Sequence, residues 1–129
     1  FVRMIYLALT NQPIKLYDDG IIKRDYIHVF DVVSALKIIM ERGENNKIYY
    51  VGNGVGVDFK TLVNTIISLF GGTIENINAP KFHKQVGIDD FWCNIEDLVN
   101  LGWFPKIDLK TGLNETAEYI KKEINNELK

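Results

Sequence analysis

Apolar residues recur along this chain at helical and at alternating spacings, and together they predict a mixed α/β order of elements. The clearest run follows Asp58: positions 59, 62, 63, 66, 67 and 70 are apolar, the i, i+3, i+4, i+7 signature of one helix face. Asp58 is its predicted N-cap and Gly71-Gly72 its end. Residues 32–42 are apolar over most of a helical surface, which predicts a largely buried helix, capped by Asp31 and closed by Gly43. The first nine residues read as the end of a helix stopped by Asn11-Gln12-Pro13. Asn94 should cap a short helix ending at Gly102. Asp108 should cap the last one, with 109, 113, 117, 120, 124 and 128 on its apolar face. Residues 14–17, 26–29, 47–51 and 73–77 carry the β-branched and aromatic content of short strands, with Asp18-Asp19-Gly20 a turn after the first. Strands this few and scattered do not make a complete parallel sheet. The fold class is α/β, a mixed α+β piece of a larger α/β enzyme.

Composition narrows this picture. The 129 residues suit a single domain or a large piece of one, 47% of them hydrophobic and 25% charged, as in ordinary soluble proteins. A net charge of −2 gives no broad attraction to nucleic acid or to an anionic membrane, so a bound anion would need a local basic cluster. The single Cys93 excludes an intrachain disulfide and argues against a thiolate metal site, in keeping with a reducing cytoplasm. No apolar stretch approaches the ~18 residues of a membrane span. The chain opens on Phe1 without a signal peptide, and we expect it to be a piece of a longer protein.

Candidate chemistry is sparse. Gly52-Asn53-Gly54-Val55-Gly56 follows a predicted strand and precedes a helix, but a dinucleotide fingerprint needs its third glycine one residue later. Glu75 does not stand at the end of a matching unit, so a glycine-bearing structural turn is the better reading. Arg24 presents a planar fork suited to phosphate or carboxylate, yet beside Asp25 the spacing alone favours a structural surface pair. Lys81, His83 and Lys84 form a small basic group whose usual fate is a solvated loop. His28 reads as structural, Trp92 and Trp103 as core aromatics, and one of Tyr49 and Tyr50 should pack inward. There is no Ser-His-Asp arrangement, metal-ligand spacing, P-loop or Tyr-x-x-x-Lys pair. No catalytic residue is assigned.

Taken in order, several segments resemble the extended short-chain dehydrogenase/reductase enzymes that act on nucleotide sugars, the NAD-dependent epimerases and dehydratases. Leu16-Tyr17-Asp18-Asp19-Gly20 is similar to that family's "VYGDG" strand and turn, and residues 23–33 to its "RDYIHVxD" segment. Tyr49-Tyr50-Val51-Gly52 resembles "YNIGG", and residues 101–106 resemble "LGWxPK". Leu109, Gly112 and Leu113 follow the start of the family's last helix.

The resemblance implies that residues 1–129 are the C-terminal, substrate-binding part of a Rossmann-type enzyme. Arg24 would then bind the diphosphate of a nucleotide-diphosphate sugar, which reverses the reading as a surface pair. Tyr17 would lie against the base, with backbone contacts from Lys15 and Leu16. Lys84 stands where a second phosphate-binding arginine is usual, supplying charge without the fork, and Phe91 would border the sugar pocket. Asn94 replaces the usual aspartate and Tyr50 a common asparagine. NAD(P) and the catalytic Tyr-x-x-x-Lys would belong to an N-terminal half, with no cofactor expected in this piece. The alternatives are a stand-alone binding or scaffold module, or a nucleotide-sugar reductase or decarboxylase of the same family. Apolar surface that such a half would cover also gives the expectation of self-association into a homo-oligomer.

Overall fold

The computed structural model describes residues 2–78 and 90–127. The basic group Lys81, His83 and Lys84 lies outside them. Two compact units emerge, each discontinuous in sequence: Phe1–Ile22 with Asp58–Ile88 and Lys110–Lys129, and Lys23–Val57 with Asp89–Leu109.

The first unit is built on helix α1 (Val2–Leu9), strand β1 (Pro13–Tyr17), helix α3 (Phe59–Phe70), strand β4 (Thr73–Ile77) and helix α5 (Leu109–Glu127), whose first residue belongs to the second unit. Strands β1 and β4 pair in parallel, from Pro13 opposite Thr73 to Tyr17 opposite Ile77. The period of two sends Ile14 and Leu16 inward and leaves Pro13, Lys15 and Tyr17 outward. Helix α1 packs on α3 and β1 through the buried Ile5 and Ala8, and α3 buries Leu62, Val63 and Ile66, the predicted stripe. Asp58 caps α3 as expected: its carboxylate accepts from the Thr61 N–H at 2.6 Å and from the Thr61 hydroxyl at 2.8 Å. Gly71, at φ +86°, ends the helix. Helix α5 buries Leu113, Ala117 and Ile120 along its predicted face. Past β1 the chain turns through Asp18, Asp19 and Gly20 at φ of 43°, 59° and 64°. Only glycine fits the third place, because a Cβ there would stand 2.5 Å from Leu16 Cδ1 and 2.9 Å from the Lys60 nitrogen.

In the second unit, β2 (Lys23–Asp25) pairs with β3 (Gly56–Asp58, its last residue in the first unit), and α2 (Val29–Arg42) and α4 (Glu96–Asn100) enclose a small core. Ala35, Leu98 and Trp103 are its buried centre, with Ile27, Ile38, Ile39, Tyr49, Val51 and Ile95 around them. The Trp103 indole N–H donates to the Ser34 hydroxyl at 2.7 Å, so this aromatic is a bonded core residue as expected. Tyr49 packs inward and Tyr50 is exposed.

Several expectations fail here for identifiable reasons. The strand expected over 26–29 lies instead at Lys23–Asp25, since the ladder partner is β3 and pairing overrides the propensity of a charged triplet. Helix α2 starts three residues before its predicted first residue: His28 is the N-cap, accepting weakly from the Phe30 N–H at 3.4 Å. Asp31 sits inside the first turn, where its carboxylate serves another segment. Residues 47–51 have the composition of a strand but form none, having no ladder partner among the described residues. Helix α2 is not largely buried either. Val29, Val33, Leu36 and Met40 are exposed, because the core reaches only the opposite side, around Ala35. Trp92 is half-exposed rather than core, although its ring lies over Gly56, where a Cβ would come within 2.5 Å of it.

Candidate functional site

The predicted binding residues fall in both units. In the first, β1 carries Lys15, Leu16 and Tyr17. Leu16 turns its side chain into the core, so only its backbone can meet a ligand, whereas Lys15 and Tyr17 face outward. At the carboxyl ends of β1 and β4 opens a cleft of about 300 Å³ lined by Asp18, Asp19, Asn76, Ile77 and Asn78. Ligands of parallel α/β sheets commonly sit at this end of the strands. Two carboxylates and two amides suit hydroxyl and amine groups and oppose phosphate. No sequence motif marked Asn76 or Asn78, which reach this edge only through the β1–β4 register.

The second unit holds Arg24 and Phe91. Strand β2 is pinned on both sides of Arg24. Before it, the Lys23 N–H donates to Asp90 Oδ1 at 2.8 Å, and the Lys23 carbonyl accepts from the Phe91 N–H at 3.2 Å. After it, the Asp25 carboxylate accepts from the Asn53 N–H at 2.7 Å, the Gly54 N–H at 3.2 Å and the Cys93 N–H at 3.0 Å. The fold thus brings the backbones of Arg24 and Phe91 together. Arg24 is half-buried, and its guanidinium donates to the Lys23 carbonyl at 2.7 Å. Lys84, the other predicted phosphate contact, lies outside the described residues.

Asp25 is therefore not simply the surface partner of Arg24. It is a hub joining β2, the glycine loop and the stretch ending at Cys93. The same contacts decide the reading of Gly52-Asn53-Gly54. In a dinucleotide loop the backbone N–H groups would face a pyrophosphate, but here those of Asn53 and Gly54 hold a carboxylate. These two N–H groups are used inside the unit, as a structural turn would use them.

Asp31, the second aspartate of the "RDYIHVxD"-like segment, plays a corresponding part in the same unit. It is only 3% exposed and accepts from the Lys106 N–H at 3.1 Å and the Ile107 N–H at 2.9 Å. Its role was missed because those donors lie 75 and 76 residues away. Burial and then the nearby Asp25 carboxylate push the Cys93 thiol above its ordinary range, which makes it a poor nucleophile. Lys47, bonded to Asp97 and Glu44, is held firmly protonated and ties the loop after α2 to α4. Among the described residues no helix is long and apolar enough to cross a membrane, and no group of His, Cys, Asp and Glu is arranged to hold a metal.

Comparison with known proteins gives the following matches. Residues 1–52 match the NAD dependent epimerase/dehydratase family. Over 124 residues, 93% of this chain, the sequence is 29% identical to a dTDP-glucose 4,6-dehydratase of Streptomyces griseus, of which it covers 37%. Among solved structures, UDP-glucose 4-epimerase of Thermotoga maritima, bound to UDP-glucose, superposes with a TM-score of 0.83 at 28% identity, covering 95% of this chain and 39% of that one. The dTDP-glucose 4,6-dehydratase of Bacillus anthracis, in complex with NAD, gives 0.78 at 30% identity, covering 93% and 38%. The chain thus spans little more than a third of the length of these relatives. The fold is mixed α/β and resembles the matched parts of these Rossmann-type structures. The chain is thus similar, over residues 1–52 and along its length, to NAD-dependent epimerases and dehydratases.

Proposed function

We propose that this chain is the substrate-holding portion of an NAD-dependent nucleotide-sugar epimerase or dehydratase, with Arg24 as the anchor for the diphosphate. The observation that carries the proposal is Arg24 itself, half-buried on a strand whose flanking residues are both tied down. A planar guanidinium with its backbone fixed meets a diphosphate at little entropic cost. Phe91, its backbone N–H bonded to the Lys23 carbonyl, is the proposed neighbour of the sugar. The further roles proposed are Tyr17 against the base, Lys15 and the Leu16 backbone in support, and Lys84 as a second cation, each testable by its own substitution. NAD, held by the remainder of such an enzyme, would supply a hydride acceptor and donor. The residues described here bind and orient substrate.

The reading is tested by titrating the 129-residue chain with dTDP-glucose and UDP-glucose, following backbone amide resonances. Saturable binding of at least one is expected, with shifts centred on 23–25 and 90–93. Arg24→Ala should weaken it about tenfold or more, the ~1.5–3 kcal/mol of a hydrogen bond to a charged group. Binding that is absent, or indifferent to Arg24→Ala, would overturn the assignment.

A further inference from the structure

We infer that Asp25 is a positioning residue for ligand binding at Arg24, an inference that rests on the anion-binding role proposed for that arginine. Its carboxylate touches no proposed ligand group. It collects the N–H groups of Asn53, Gly54 and Cys93, from stretches 28 to 68 residues away in sequence. Lys23, on the other side of Arg24, is held to Asp90 and Phe91. Arg24 is therefore the middle residue of a three-residue strand clipped at both ends, and the Asp25 clip alone reaches both the glycine loop and the stretch after Phe91. Gly52 makes room for it: a Cβ at that position would collide with Asp25 Oδ2 and approach Cys93 Cβ to 2.7 Å. Losing the clip frees β2 at one end and lets the arginine fork sample orientations in which it cannot meet a diphosphate, so binding bears an ordering cost that the folded chain now avoids.

The sign of the effect separates this role from simple electrostatics. A carboxylate next to Arg24 repels an anionic ligand. If Asp25 acted only through its charge, removing the charge would tighten binding. A positioning residue predicts the opposite.

The test titrates dTDP-glucose into the 129-residue chain, comparing wild type with Asp25→Asn, Gly52→Ala, Arg24→Ala and Asp31→Asn, with circular dichroism confirming each fold. Asp25→Asn should raise Kd at least fivefold while shifting the Asn53, Gly54 and Cys93 amide resonances. Gly52→Ala, which displaces the carboxylate and keeps its charge, should weaken binding as well, and it decides the matter if Asp25→Asn does not fold. Asp31→Asn removes charge from a comparable clip elsewhere in the unit and should leave Kd within twofold. Unchanged or tighter binding in folded Asp25→Asn or Gly52→Ala overturns the inference, as does equal weakening by Asp31→Asn. If Arg24→Ala weakens binding and Asp25→Asn does not, this inference alone fails. If wild type does not bind, both it and the proposed function fail.

Discussion

Asp31→Ala is the most informative single perturbation of stability. The side chain is 3% exposed, and its two carboxylate oxygens satisfy the backbone N–H groups of Lys106 and Ile107 at 2.9 to 3.1 Å. Alanine leaves both donors without this acceptor inside the unit. A hydrogen bond to a charged acceptor contributes about 1.5–3 kcal/mol, so taking the low end twice gives about 3 kcal/mol. The carboxylate also lies in the first turn of α2, where a negative charge adds roughly 0.3–1 kcal/mol against the helix dipole. The expected loss is therefore about 3–4 kcal/mol, a large fraction of the 5–15 kcal/mol typical of a domain. In urea, with a slope of about 1.5 kcal/mol per molar, the midpoint should fall by about 2–3 M at unchanged slope. Asp31→Asn keeps one acceptor oxygen and should lose about half as much. Hydrogen exchange of the Lys106 and Ile107 amides should accelerate before that of the α3 amides in the other unit. A loss below about 1 kcal/mol, with those two amides still protected, would refute the idea that Asp31 holds this segment in place.

Gly20→Ala should destabilise the first unit by about 2–4 kcal/mol, since it combines left-handed backbone with overpacking against Leu16 and Lys60, and thermal unfolding would read it. Cys93 should react with iodoacetamide several-fold more slowly at pH 7.5 than an unhindered cysteine. Its rate should rise only at a pH above the usual thiol range, and Asp25→Asn should speed it by removing the neighbouring charge.

What the sequence made legible was the local chemistry. The stripe and cap of α3, the turn through Gly20, the strands β1 and β4 and the bonded Trp103 all follow from residues close together in the chain. What stayed hidden was who the partner is. Asp31 has every local mark of an N-cap, yet its carboxylate belongs to Lys106 and Ile107, and the cap falls to His28. Residues 47–51 have strand composition without a partner strand, while Lys23–Asp25 has poor strand composition and a partner in β3. The exposed side of α2 shows the same limit, because apolar content marks what can be buried and not what covers it. For the candidate site, Arg24 was visible as chemistry. The hub at Asp25 was not, since the glycine loop and Cys93 approach it only in the folded unit.

The long reach of the two aspartate clips bears on the order in which the molecule can assemble. The bonds from Asp25 to Cys93, Asp31 to Lys106 and Ser34 to Trp103 close loops of 68, 75 and 69 residues. On a ribosome adding about 5–20 residues per second, the second unit must wait for its Asp89–Leu109 half before any of these can form. Until then α2 displays the Ala35 side that Leu98 and Trp103 will cover, together with the Val33, Leu36 and Met40 side that stays exposed once these 129 residues are folded. Translation stalled before residue 89 would leave a nascent chain with both aspartates made and none of their distant donors beyond the glycine loop, a species prone to chaperone capture or aggregation.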